Sequence, residues 1–357
     1  MRKEKYKDIY EDLYGKITNG TFAIGTLLPS LPNLAESYAT SRPTIRKALQ
    51  LLEQKGLVSC RNGVGVTVSD PALRREPSGK RLEIAADLFP GESNSFNYTL
   101  PILNGLSRAS VKYGFSLRLV QRQEIENWKD PKDLPDGLIF HALPERTLPD
   151  SLLESITEHG VPLILLNRQM EFPGVGTLSV DYRQETRRAV SCMIRNGARR
   201  IVLYKNPGYQ SNALHLRVQG WRDAYQENGL PVPEELCITA TCYEEANCQL
   251  DAILNAERPD LIFITNGTCF YQVCITLAGH NLAVPDDIAL LCFDDIGSLQ
   301  EELGIPASYI RMPLERMGFE AAESIVARKQ NPNRIALPRK TFHAELIVKG
   351  CRFLLPD

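Results

Sequence analysis

The sequence predicts a multi-domain chain, with a small α+β head followed by a large, two-lobed, doubly wound α/β region. Three observations predict it. At 357 residues the chain is longer than one ordinary core supports. Residues 1–69 read as helix, helix, helix and hairpin. From Leu82 onward, short apolar strands alternate with amphipathic helices, the pattern of parallel sheets covered on both faces.

In the head, Tyr6, Ile9, Tyr10, Leu13 and Ile17 recur at helical spacing and give the first helix one apolar face. A short second helix follows Pro29-Ser30, with Ser30 as its N-cap and Leu31, Leu34, Ala35 and Tyr38 turned inward. Ser41 caps a third helix, and Pro43 stands in its first turn, where a missing N–H costs nothing. Ile45, Leu49 and Leu52 form its inner stripe, and Lys55-Gly56 stop it. Two strands follow, Leu57–Cys60 and Val64–Val68. They are joined by Arg61-Asn62-Gly63, whose Asn-Gly pair is a strong hairpin signal.

Residues 70–81 are polar, contain Pro71, Pro77, Ser78 and Gly79, and read as a linker. Beyond them the expected strands are Leu82–Asp87, Ser116–Val120, Gly137–Phe140, Pro162–Leu166, Arg200–Tyr204, Leu261–Ile264, Ala289–Phe293 and Phe342–Val348. The expected helices are Ile102–Tyr113, Leu152–His159, Arg183–Asn196, Arg217–Asn228, Ala246–Asn255, Phe270–His280 and Leu314–Arg328. Residues 82–357 divide into one lobe of about 82–179 with 312–332 and another of about 180–311 with 333–357. Ligands of such sheets lie beyond the carboxyl ends of the strands, where strand order reverses.

Composition narrows the function. Hydrophobic residues make up 43% and charged residues 24%, as in a globular protein. The net charge of −2 conceals a modest basic excess in the head, carried in part by Arg42, Arg46 and Lys47. A charged N-terminus and the lack of a long apolar run give no secretory signal and no membrane span, so a cytoplasmic location is expected. The nine cysteines are scattered with no zinc spacing and read as free thiols. No nucleotide-binding glycine motif, catalytic constellation or metal set stands out. The expectation is a non-enzyme without cofactor or metal.

The run Leu28-Pro29-Ser30, Leu34-Ala35, Ser41-Arg42-Pro43-Thr44-Ile45-Arg46-Lys47-Ala48-Leu49, Leu52, Gly56-Leu57-Val58 and Gly63-Val64-Gly65 resembles the winged helix-turn-helix of the GntR family. The resemblance implies DNA contacts from Ser30, Arg42, Thr44, Arg46 and Lys47, with Asn62 and Gly63 at the wing tip. Chemistry agrees with it, because the first turns of a recognition helix face base edges in the major groove. Arginine forks onto guanine there, and threonine meets phosphate or a thymine methyl. The sequence departs from the family at Leu31-Pro32, where an acidic capping residue is usual, and at Pro43, where a small polar residue is usual.

The remainder resembles the LacI/GalR effector domain, which shares its fold with periplasmic sugar-binding proteins. The residues that carry the likeness are Val284-Pro285-Asp286-Asp287-Ile288-Ala289 with Phe293-Asp294-Asp295, and Val180-Asp181 before a helix. Asn196-Gly197-Ala198-Arg199-Arg200-Ile201, Arg217-Val218-Gln219-Gly220-Trp221 and Glu345-Leu346-Ile347-Val348-Lys349 add to it. The pairing of this domain with a GntR-type head looks like that of the arabinose-responsive repressors. By position, the resemblance makes Arg217 and Asp294 effector ligands and gives Asn266 a similar role. Sugars need such planar, bidentate partners together with an aromatic face. Phe96 and Tyr98 follow the first strand, His141 the third and Asn167-Arg168 the fourth, and of these Phe96, Tyr98, His141 and Arg168 join the candidate set. Each has a structural alternative. Asp294 or Asp295 caps a turn, Arg217 lies on a helix surface, Phe96 and Tyr98 are core, and His141 is a satisfied structural histidine. Trp221 reads as core. Where the family has Asn-Asp, this chain has Asn266-Gly267, which points to a modified, acidic or otherwise unusual sugar, or to another metabolite.

The resulting expectation is a homodimeric repressor that binds an inverted-repeat site in double-stranded DNA. A small sugar-like effector between the lobes controls its affinity. The alternative is a transport-type small-molecule binding protein, which leaves the head without a purpose.

Overall fold

The computed structural model describes residues 5–18, 20–23, 25–54, 57–61, 65–68, 81–88, 96–128, 134–141, 150–167, 172–256, 258–332, 335–351 and 353. Its contacts divide the chain into two compact units, 1–82 with 109–116 and 83–108 with 117–357. All of the expected linker except Arg81 lies outside the described residues. Among the described residues, no helix is long and apolar enough to cross a membrane.

The head follows the expected order of elements: α1 (Lys5–Thr18), α2 (Leu31–Ser37), α3 (Arg42–Gln54), β1 (Val58–Arg61) and β2 (Gly65–Val68). The two strands pair antiparallel, Val58 opposite Val68. Ile9, Leu13, Leu34, Ile45, Leu49 and Leu52 meet in one buried core. The apolar stripes read from periodicity are therefore the inner faces of the three helices, whose burial drives their packing.

The larger unit contains two six-stranded sheets. The chain first lays down β3 (Glu83–Asp87), α4 (Phe96–Tyr113), β4 (Ser116–Leu119), α5 (Arg122–Glu126), β5 (Gly137–His141), α6 (Asp150–Glu158), β6 (Leu163–Leu166) and β7 (Val175–Val180). It then adds α7 (Tyr182–Arg195), β8 (Ile201–Tyr204), α8 (Asn212–Glu227), β9 (Cys237–Ile238), α9 (Tyr243–Ala256), β10 (Leu261–Ile264), α10 (Phe270–Gly279), β11 (Ala289–Phe293), α11 (Gly297–Leu303) and β12 (Ser308–Arg311). It closes with α12 (Leu314–Gln330), β13 (Arg339–Phe342) and β14 (Glu345–Ile347).

The first sheet runs β13-β7-β6-β5-β3-β4 and the second β14-β12-β11-β10-β8-β9. Strand order reverses at β3/β5 in the first sheet and at β8/β10 in the second. A ligand is therefore expected beyond His141 on one side and beyond Ile264 on the other.

The structure departs from the expected elements in three informative places. The single strand expected at Phe342–Val348 is two strands in different sheets. β13 pairs parallel with β7, and β14 pairs antiparallel with β12. Residues 339–342 thus join the first sheet, although 333–357 was assigned to the second lobe. No glycine, proline or other turn residue stands at His343-Ala344, so the sequence did not mark the break. Second, α4 begins at Phe96 and runs through Pro101, where the reading had placed its start at Ile102. Tyr98 therefore stands on the first turn of a helix rather than in a loop. Third, β7 and β12 were not anticipated. Both sit beside other strands, and β7 is buried at every position although it contains Gly176, Thr177 and Ser179.

Candidate functional site

On the head, Ser41 begins α3 through its carbonyl, which accepts from the Thr44 and Ile45 amides. Its hydroxyl shares a 2.8 Å hydrogen bond with that of Thr44. The Thr44 hydroxyl is thus partly engaged locally, and its methyl and remaining lone pairs are left to meet a partner. Arg42 and Arg46 are exposed, opposite the buried stripe of Ile45, Ala48, Leu49 and Leu52. The Lys47 ammonium lies 4.0 Å from the centre of the Tyr6 ring, so part of its charge is directed at α1. Ser30 caps α2 by accepting from the Asn33 amide at 3.4 Å. The wing-tip pair Asn62-Gly63 lies outside the described residues.

In the larger unit the centre of the site is Arg217, on α8. The Ser211 hydroxyl caps that helix by accepting from the Leu214 amide at 2.9 Å. Arg217 is buried. Its Nη1 donates to the Thr265 carbonyl at 2.5 Å, and its Nη2 lies 3.5 Å from the Asp294 carboxylate. The guanidinium stacks 4.0 Å over the Phe293 ring and 4.8 Å from that of Tyr182. Asp294 directly follows β11 with φ at 95°, a left-handed backbone that is costly for a non-glycine residue. Its Oδ2 accepts from the Gly267 amide at 3.1 Å. Burial pushes the Asp294 carboxyl above the usual carboxylate range, against the pull of Arg217.

Asp295 takes the structural role that either aspartate might have held. It accepts from the Gly297 amide at 2.8 Å and from Arg311 Nε at 2.7 Å. Asn266 Oδ1 caps its own turn by accepting from the Thr268 amide at 3.2 Å, so its amide nitrogen is the group left for a ligand. Gly267 does not empty the site of polar groups, because its backbone N–H addresses Asp294 directly.

The first sheet contributes Tyr98, His141 and Asn167. The Tyr98 ring lies 4.7 Å from that of His141. Burial, then the neighbouring Tyr182 hydroxyl and the Asp294 carboxylate, hold the Tyr98 phenol well above its ordinary range. These electrostatic neighbours place Tyr98 in one site with residues of the second sheet. Burial lowers the His141 pKa to about 4, so its ring is neutral near pH 7. Asn167 was passed over in favour of its neighbour Arg168. It is 9% exposed, holds a left-handed φ of 59°, and neither its Oδ1 nor its Nδ2 has a hydrogen-bond partner. Buried amides are rarely left so. Arg168 and the Phe96 side chain lie outside the described residues. Tyr182 was also missed, although it directly follows the Val180-Asp181 motif. Trp221 is fully buried against Tyr225 and belongs to the core. Among the described residues, no cluster of His, Cys, Asp and Glu could hold a metal ion.

Residues 5–68 match the gntR family of bacterial regulatory proteins, and residues 190–350 match the periplasmic binding protein-like domain. The arabinose metabolism transcriptional repressor of Geobacillus stearothermophilus is 22% identical over 97% of each chain. The probable HTH-type transcriptional repressor ExuR of Bacillus subtilis (strain 168) is 23% identical over 75% of this chain and 77% of its own. A LacI family transcriptional regulator from Enterococcus faecium, solved with bound ribose, superposes with a TM-score of 0.64 at 17% identity, over 76% of this chain and all of that one. The fold, the exposed arginine helix and these relatives define a DNA-binding transcription regulator, not an enzyme. Its head matches the gntR-family helix-turn-helix, and its larger region is a periplasmic-binding-protein-like domain with the fold seen in LacI family regulators.

Proposed function

We propose that this regulator is a homodimeric repressor that binds an inverted-repeat operator and releases it when an uncharged, hydroxyl-rich molecule of the sugar class fills the cleft. The observation that carries the effector reading is a set of buried polar atoms without hydrogen-bond partners: both amide atoms of Asn167, Arg217 Nε and Asp294 Oδ1, the last held only by the long ion pair to Arg217. The set holds both donors and acceptors, and a hydroxyl answers both. A carboxylate or phosphate answers donors only and would meet the Asp294 carboxylate. Arg217 and Asp294 balance each other in charge, and His141 is neutral, which favours an uncharged ligand. The arabinose repressor aligned along the whole chain and the ribose-bound structural relative support a sugar.

On the DNA side, Arg42, Arg46 and the Thr44 methyl would read base edges, with Ser30, Lys47, Asn62 and Gly63 at the phosphates. Two heads related by a twofold axis would require an inverted repeat. An effector switches such a protein only by binding its two states unequally.

The test is a thermal-stabilisation panel of neutral sugars, the matching uronates and sugar phosphates, followed by anisotropy with DNA from the protein's own control region. Stabilisation by a neutral sugar that also releases DNA supports the proposal. A response to anionic members alone would reject the charge reading, and the absence of salt-dependent DNA binding would reject the regulator reading.

A further inference from the structure

The described elements cross between the two sheets three times: at Asp181 between β7 and α7, at Met312-Pro313 between β12 and α12, and at His343-Ala344 between β13 and β14. Any change of angle between the sheets has to be absorbed at these crossings, since the packed sheets themselves resist bending.

One buried carboxylate sits at the third crossing. Glu185, on the first turn of α7, has a side chain only 1% exposed. Its Oε1 faces His343 Nδ1 at 3.1 Å, and its Oε2 accepts from Arg188 Nε at 3.0 Å. Arg188 Nη2 also donates to the carbonyl of Ala344. A carboxylate removed from water is tolerated only when paired and hydrogen-bonded, and here the partners are the crossing itself and the arginine that grips it. The same helix holds the first crossing, because Asp181 Oδ1 accepts from the Gln184 amide at 3.0 Å. It also carries Tyr182, whose ring stands 4.8 Å from the Arg217 guanidinium.

We propose that Glu185 and Arg188 are hinge-positioning residues. They clasp His343-Ala344 to α7, so that two of the three crossings and the Tyr182 wall of the cleft move as one body. A rearrangement at Arg217 and Tyr182 then reaches the third crossing through a single helix. The clasp takes its purpose from the effector-cleft reading, but testing it requires neither effector nor DNA, so its outcome is independent of that reading.

The experiment is hydrogen exchange on the ligand-free, full-length protein, comparing wild type with Glu185→Gln, Arg188→Ala and Arg188→Lys. The control is Arg187→Ala, which breaks the 3.0 Å pair of the same helix with Glu227. Glu185→Gln and Arg188→Ala should raise exchange about tenfold at Leu346 and Ile347, and also at Asn167, which follows β6 in the first sheet and whose amide donates to the Leu178 carbonyl. Arg188→Lys should fall between them and wild type, and Arg187→Ala should leave both regions unchanged. The Arg188 side chain is 52% exposed, so its variants test the clasp even if Glu185→Gln does not fold. Four results overturn the proposal: no change at the crossing in Arg188→Ala, a rise spread evenly over the chain, a rise at the crossing with Asn167 unmoved, or the same pattern in Arg187→Ala.

Discussion

Arg217 and Asp294 face each other at 3.5 Å, near enough for an ion pair but too far for a strong hydrogen bond, and each keeps one polar atom without a hydrogen bond. Removing the arginine would strand a buried carboxylate. Arg217→Ala should cost on the order of 3 kcal/mol in urea unfolding. The loss should depend on pH. The folded pKa of Asp294 already lies above its unfolded value, and losing Arg217 raises it further. The stability linked to such a group is present below the unfolded pKa and disappears as pH rises through the folded one. The variant should therefore lose less at pH 4 than at pH 8, and adding Asp294→Asn should restore most of the difference at pH 8. Equal losses at both pH values would mean that Asp294 does not depend on Arg217.

His141 gives the opposite slope. Its ring is buried, with a folded pKa of about 4 against an ordinary value of 6.5. As pH falls below 6.5 the unfolded chain takes up a proton that the folded chain refuses. Stability from this source is complete above pH 6.5 and is lost toward pH 4, by up to about 1.4 kcal/mol per unit. His141→Gln should flatten that part of the curve. The check is the difference between wild type and variant in urea unfolding at pH 7.5, 6 and 5, which isolates His141 from Asp294. A difference that does not vary with pH would show that the ring titrates normally.

The three cations of α3 should separate by geometry. Arg42 and Arg46 project from the exposed side of the helix, whereas Lys47 lies on the Tyr6 ring. Arg42→Ala and Arg46→Ala should each weaken operator binding by about 1–3 kcal/mol. Lys47→Ala should cost less in DNA affinity and slightly more in stability, through its lost ring contact. Anisotropy titrations at several salt concentrations, paired with thermal unfolding, measure both. An affinity loss from Lys47→Ala equal to that of the arginines would place its ammonium on DNA rather than on Tyr6.

How much of this was legible in the sequence follows from which forces act locally. The head was readable because its signals are short-range: the stripe of Ile45, Leu49 and Leu52 and the caps at Ser30 and Ser41. Arg217, Asn266 and Asp294 could be located because the motifs around them resemble those of the effector-domain family; Asn266 and Asp294 also stand just beyond apolar strands, whereas Arg217 lies within α8. Their division of labour was not visible, because it depends on contacts between distant segments. Asp295 turned to Arg311, sixteen residues away, and Gly267 turned its amide to Asp294. Asn167 was named with Arg168 at the end of the fourth strand, but that its amide is buried without a hydrogen bond depends on packing the sequence does not show. The split between β13 and β14 was hidden because no turn residue marks a strand that leaves one sheet for another.

Two helical glycines should respond in opposite ways to the same substitution. At Gly15, in α1, an added Cβ meets nothing within 4 Å. Gly15→Ala should therefore stabilise the protein by roughly 0.5–1 kcal/mol through the reduced freedom of the unfolded chain. At Gly220, in α8, the Cβ would fall 2.4 Å from the Arg183 carbonyl and 2.8 Å from the Thr186 side chain. Those atoms belong to α7, and a helix backbone does not yield as a flexible side chain does. Gly220→Ala should cost about 1–3 kcal/mol from overpacking despite its better helix propensity. The displaced helix is the one that carries Tyr182 and Glu185, so the damage should reach the effector site. Thermal unfolding and the sugar panel, run together, check both expectations. A Gly220→Ala protein with unchanged melting temperature would show that α7 and α8 do not pack backbone to backbone at this point.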